Sequence, residues 1–205
     1  MTCFMIFMKK ISLLISLILL FQILFSQLKK DSAVKVIAHI NYQSDDKNLI
    51  PFSLNNPLTL NDFAGPVNSN VTGDAETYSG ILLKYYFSHE HGQLLISVDV
   101  FPFFDKSKSW CRKESRNDKT LSHEQIHFYI TAIKACEMIE EIEKYHFSIR
   151  GYKMELQKIS NDKNLEAEEY QNKYDFETKH GRKIEMQQKW NEKITQSLSE
   201  QLCFK

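Results

Sequence analysis

Apolar residues change their rhythm near the middle of the chain. Gly80–Ser88 carries Ile81, Leu82, Leu83, Tyr85, Tyr86 and Phe87, and Gln93–Phe103 carries Leu94, Leu95, Ile96, Val98, Val100, Phe101 and Phe103. Runs this rich in β-branched and aromatic residues predict two strands, and His89-Glu90-His91-Gly92 between them suits a hairpin connection. A shorter strand is predicted at Val34–Ile40, followed by loops wherever Asn, Pro and Gly cluster, as in Asn55-Asn56-Pro57 and Gly65-Pro66. After Thr120 there is no proline, and apolar residues recur at helical spacing. Leu121 to about Tyr145 reads as one long helix with a stripe of Ile126, Ile130, Ile133 and Ile142, capped by Asp118 or Thr120. Gly151–Ile159 reads as a second helix. Ser160-Asn161-Asp162 reads as a break, and the next helix runs to about His180, with Gly181 as its stop. Arg182–Leu202 reads as the last helix. Strands first and helices later predict an α+β fold, with an antiparallel β region over about 34–104 and a helical half over about 118–204.

The first residues belong to a different category. Lys9 and Lys10 precede an apolar run from Ile11 to Phe25, and Ser26 offers a small residue before Gln27. This is the layout of a secretory signal, and the run is shorter than the roughly 20 apolar residues of a membrane span. Residues 1–26 are therefore expected to be removed, leaving a single exported domain, 27–205, with no stable membrane span. No cysteine follows the apolar run, so a lipid anchor is not expected.

Charge narrows the function classes. The chain has 26 basic and 26 acidic side chains, and loss of Lys9 and Lys10 with the signal leaves a net charge of −2. Nothing here supplies the basic footprint of a nucleic-acid binder. Of the four cysteines, Cys3 leaves with the signal, while Cys111, Cys136 and Cys203 remain. No CxxC spacing exists, and the sequence leaves the pairing of the three open.

Chemistry concentrates in His123-Glu124-Gln125-Ile126-His127, an HExxH motif at the start of the long predicted helix. Residues i and i+4 share a helix face, so both imidazoles can reach one Zn²⁺. Glu124, next to the first ligand, is placed as the general base. A catalytic zinc site takes a third protein ligand. His180 is the first candidate, since it ends a predicted helix just before Gly181. Asp175 and Glu177 are the rivals, as ligands or as partners orienting the ligands. Tyr170 and Tyr174 are candidates for an oxyanion donor. His89 and His91 read as turn residues. Phe101-Pro102-Phe103-Phe104 and Trp110 read as core or as a wall of a substrate cleft.

Several segments together resemble the bacterial family of unknown function DUF922, whose members are described as predicted secreted zinc-dependent proteases. They are Leu58-Thr59-Leu60-Asn61-Asp62-Phe63-Ala64-Gly65, Ala75-Glu76-Thr77 with Ser79-Gly80-Ile81, Phe104-Asp105-Lys106-Ser107-Lys108-Ser109-Trp110, the motif block Leu121–Phe128, and Tyr174-Asp175-Phe176-Glu177-Thr178-Lys179-His180-Gly181. The resemblance spans most of the mature chain. It implies that His123 and His127 are metal ligands, that Glu124 is the base, and that His180 or Asp175 completes the site. The expectation is a secreted zinc metallopeptidase acting on a peptide, protein or cell-wall amide. The alternative is a zinc-binding envelope module without turnover, which would have little use for Glu124.

Overall fold

The computed structural model describes residues 17–21, 34–90 and 93–204. Lys9, Lys10 and the junction after Ser26 lie outside the described residues, as do His91 and Gly92. Among the described residues, six strands precede three long helices: β1 Lys35–Ile40, β2 Leu49–Pro51, β3 Ala75–Glu76, β4 Ser79–Glu90, β5 Gln93–Asp105, β6 Trp110–Cys111, then α1 Asp118–Lys144, α2 Tyr152–Thr178 and α3 Ile184–Glu200. The α+β order read from the sequence is the order of the fold.

Strand β5 organises the sheet. β4 pairs antiparallel with it from Ser79↔Phe104 to Glu90↔Gln93, so His89 and Glu90 belong to the strand rather than to a turn. The opposite edge of β5 is shared. β1 runs parallel to it from Lys35↔Leu95 to Ile40↔Val100, and β2 runs antiparallel from Pro51↔Phe103 to Leu49↔Asp105. The sheet is thus mixed rather than antiparallel. A parallel pair needs a crossover of a dozen or more residues, and the chain through β2, β3 and β4 supplies it. Pro102 sits inside β5, where a missing N–H would normally cost a ladder bond. Its C=O accepts from Phe52 N–H at 3.1 Å, on the shared edge, and its nitrogen falls in the gap where β1 ends and β2 begins.

The helical layer covers one face of this sheet. Ile81, Ile96, Val98 and Val100 pack against Ala135, Met138, Ile139 and Ile142 of α1. A second cluster joins Phe52, Phe63 and Phe104 to Ile126, Phe128 and Ile130 of α1 and to Trp190, Ile194 and Leu198 of α3. Helix α1 is therefore buried between sheet and helices along most of its length. Its cap lies one residue before the expected pair: Asn117 is extended, and its side chain accepts from Thr120 N–H at 3.0 Å. The break expected at Ser160–Asp162 is absent, and α2 runs through it. Ser160 is buried, while Asn161 and Asp162 take partners one turn back, Gln157 and Lys158. None of the described helices is long and apolar enough to cross a membrane.

Cys136 of α1 is bonded to Cys203, 67 residues on, and Cys111 is a buried free thiol. Closing a loop of that length restricts the unfolded chain strongly. Cys203→Ser should lower the unfolding free energy by about 2–4 kcal/mol, measured by urea denaturation beside the oxidised wild type. An unchanged midpoint would show that the bond contributes nothing.

Candidate metal centre

The HExxH segment falls where α1 is buried on both sides. His123, Glu124 and His127 are each less than 10% exposed. The two imidazoles point at one atom. His123 Nε2 lies 3.0 Å and His127 Nε2 3.1 Å from Asp175 Oδ1, supplied by the last turns of α2. The three candidate ligand atoms lie within 4.8 Å of one another. A tetrahedral zinc about 2.1 Å from each donor would set donors roughly 3.4 Å apart, so the cluster has nearly the right size already.

Hydrogen bonding behind the rings decides which nitrogen faces the site. Tyr174 donates its hydroxyl to the His123 carbonyl at 3.2 Å and accepts from Gln187 Nε2 at 2.6 Å. Gln187 Nε2 also donates to Asn191 Oδ1 at 2.7 Å. The amide oxygen of Gln187 therefore faces His123 Nδ1 at 2.9 Å, and Nδ1 must carry the proton. The second ring repeats the logic. Thr131 donates to the His127 carbonyl, Gln171 Nε2 donates to Thr131 Oγ1, and Gln171 Oε1 faces His127 Nδ1 at 3.2 Å. Both neutral rings thus present Nε2 lone pairs to a carboxylate oxygen. With both rings neutral, three acceptors are aimed at one another, an arrangement that a cation between them would satisfy. The donor set fits a metal ion, and the glutamines stand where the orienting partners of metal-bound imidazoles stand.

Burial disfavours the His127 imidazolium, but the Asp175 hydrogen bond and the charges of Glu124 and Asp175 outweigh it, and its pKa is raised above 6.5. Burial likewise works against the Asp175 carboxylate, yet the His123 and His127 hydrogen bonds hold it well below the usual carboxylate range.

The chain after α2 closes over His123. Lys179, His180 and Gly181 have φ of 50°, 52° and 75°, a left-handed run that turns the backbone sharply at the helix end. A Cβ at Gly181 would lie 3.1–3.2 Å from the His123 ring, so glycine permits both the turn and the close approach. On another side the ring stacks on Tyr174, with centroids 4.7 Å apart.

The turn also separates the third-ligand candidates. Asp175 sits on the helix and reaches both histidines. His180 lies beyond it with its side chain 69% exposed, and its Nδ1 is 3.5 Å from Asp175 Oδ1. Glu177 faces the opposite way and accepts from Trp190 Nε1 at 2.8 Å. The geometry brings Asp175 into the cluster, places His180 at its rim and sends Glu177 elsewhere. Tyr174 is spent on the scaffold, and burial pushes its hydroxyl far above the ordinary tyrosine value. Sequence reading missed Gln171, Gln187 and Thr77. Gln171 carried one signal, standing four residues before Asp175 on the same face; Thr77 stood in the Ala75-Glu76-Thr77 segment of the resemblance with no role assigned to it, and Gln187 carried none.

Glu124 opens onto a cleft of about 830 Å³ that also receives His123, His127, Asp175 and His180. Thr77 Oγ1 lies 2.8 Å from the Glu124 Oε2 and tethers the carboxylate to the strand side. One wall of the cleft is built by Asn68 and residues 71–80, which include β3 and the start of β4, and not by Phe101–Phe104 or Trp110. Trp110 is buried behind that wall, donating to Glu76 Oε2 at 2.7 Å, and Phe101, Phe103 and Phe104 are core. His89 is an exposed strand residue.

No family model, curated protein or solved structure matches the chain.

Proposed function

We propose that this chain is a secreted zinc-dependent hydrolase that cleaves peptide bonds. One observation carries the reading: two Nε2 lone pairs and a carboxylate oxygen converge in a cleft that also holds the Glu124 carboxylate. His123, His127 and Asp175 would hold the ion, with Gln187 and Gln171 fixing the rings. Zinc there would act as a Lewis acid, polarising the scissile carbonyl and bringing the pKa of water to about 7. Glu124 takes the proton from the attacking water and passes it to the leaving amine. Thr77 keeps the Glu124 carboxylate turned towards the strand wall.

Two further features support this reading. The Cys136–Cys203 bond is of the kind that persists in oxidising compartments, which agrees with export. The segment Tyr174–Gly181, quoted for the likeness to DUF922, is the one that supplies Asp175, the left-handed turn and Gly181, and this favours placing the chain in that family. A zinc-binding module without turnover would not need a buried glutamate tethered beside the ions' ligands.

The test is metal content and turnover together. The purified protein should hold about one zinc, as a single catalytic site requires, and should hydrolyse β-casein until a chelator removes the metal. No zinc after reconstitution sinks the reading. Stoichiometric zinc with no hydrolysis of casein or of peptidoglycan amides leaves the module.

A further inference from the structure

The strand wall of the cleft carries an unused hydrogen-bonding edge. Arg112 N–H donates to the Asp74 carbonyl at 2.9 Å, and Asp105 N–H donates to the Tyr78 carbonyl at 2.9 Å. Successive residues of an extended chain direct their main-chain groups to opposite edges. β3 pairs antiparallel with β6, Glu76 opposite Trp110, so Asp74 and Glu76 turn to β6 and Tyr78 to β5, while Ala75, Thr77 and Ser79 turn theirs outward. Among the described residues, no hydrogen bond reaches those outward groups of Ala75 or Thr77. All three residues line the cleft, and Thr77 is the residue whose side chain holds Glu124.

The next outward residue shows what such an edge accepts. Ile81 N–H donates to Asn164 Oδ1 at 3.0 Å, and Asn164 Nδ2 donates to the Ile81 carbonyl at 3.1 Å. The Asn164 carboxamide thus makes both bonds that a peptide unit of a neighbouring strand would make. A third bond, to the Ser160 carbonyl at 2.9 Å, fixes it to α2. The edge is satisfied by an amide at Ile81 and open over Ala75–Ser79, beside Glu124.

We propose that the edge Ala75–Ser79 binds the main chain of an extended polypeptide as an added strand, and that Asn164 marks where the bound strand stops. Strand addition takes affinity from main-chain bonds and leaves sequence preference to the side-chain pockets. The ligand class is an unfolded or flexible polypeptide, not a glycan-linked amide. The inference deepens the peptidase reading and rests on it for the fate of the bound chain, though not for binding.

The experiment uses full-length Glu124→Gln protein kept metal-free, with β-casein as the probe, and reads amide hydrogen exchange residue by residue. Casein should slow exchange at Ala75, Thr77 and Ser79 by about tenfold or more, and leave Tyr78 unchanged because it already donates to Ser109 Oγ. In an added Asn164→Ala variant, Ile81 should exchange faster alone and become protected by casein. No slowing at the three outward amides overturns the proposal, and so does protection by soluble peptidoglycan fragments but not by casein. Protection without cleavage by the zinc-loaded wild type would count against the peptidase reading alone. Cleavage without protection would count against the edge alone.

Discussion

Asp175→Ala is expected to lose zinc under conditions where His180→Ala keeps it. The carboxylate reaches both imidazoles, whereas the His180 ring stands at the rim, 3.5 Å from Asp175 Oδ1. Zinc sites bind with about 10–16 kcal/mol spread over their ligands, so losing one of three protein donors weakens binding roughly 10²–10⁴-fold. Asp175 is a quarter exposed on a helix whose packing face lies elsewhere, so the variant should still fold. Elemental analysis after dialysis against a weak chelator separates the two variants. Zinc retained in Asp175→Ala and lost in His180→Ala would hand the ligand role to His180.

Glu124→Gln should do the reverse, keeping the metal and losing the chemistry. The amide has the same shape, and its oxygen can still accept from Thr77. It cannot accept the proton that the attacking water must lose. A positioned base contributes about 10²–10⁴-fold, so kcat against casein should fall by that range with KM little changed. Zinc content and urea midpoint should match wild type. Activity within about tenfold of wild type would remove Glu124 from the reaction.

The long helix was legible because its apolar stripe and the HExxH face both repeat at helical spacing, and burial of α1 enforces the same period. The break at Ser160–Asp162 was misread because those residue types favour caps in isolation. Here Ser160 is buried and its neighbours find partners one turn back, so tertiary packing and local pairing override propensity. The choice between His180 and Asp175 turned on where α2 ends. A reading that kept His180 in the helix set Asp175 on a different face from it. The left-handed residues Lys179 and His180, which no composition signal announces, put the histidine outside the helix altogether. Gln171 and Gln187 were silent because a glutamine's role depends on what lies across the fold from it.

The donor set is scattered along the chain: Asp175 comes 52 residues after His123, and Gln187 comes 64 after it. During synthesis the two histidines emerge as an adjacent pair well before the carboxylate that joins them and the amide that orients the first ring. A chain part-way through synthesis therefore carries half a site, and the complete donor set forms only after α2 and the start of α3 have followed α1. The order of the sequence works as a clock that keeps the donor cluster unassembled until most of the domain has arrived.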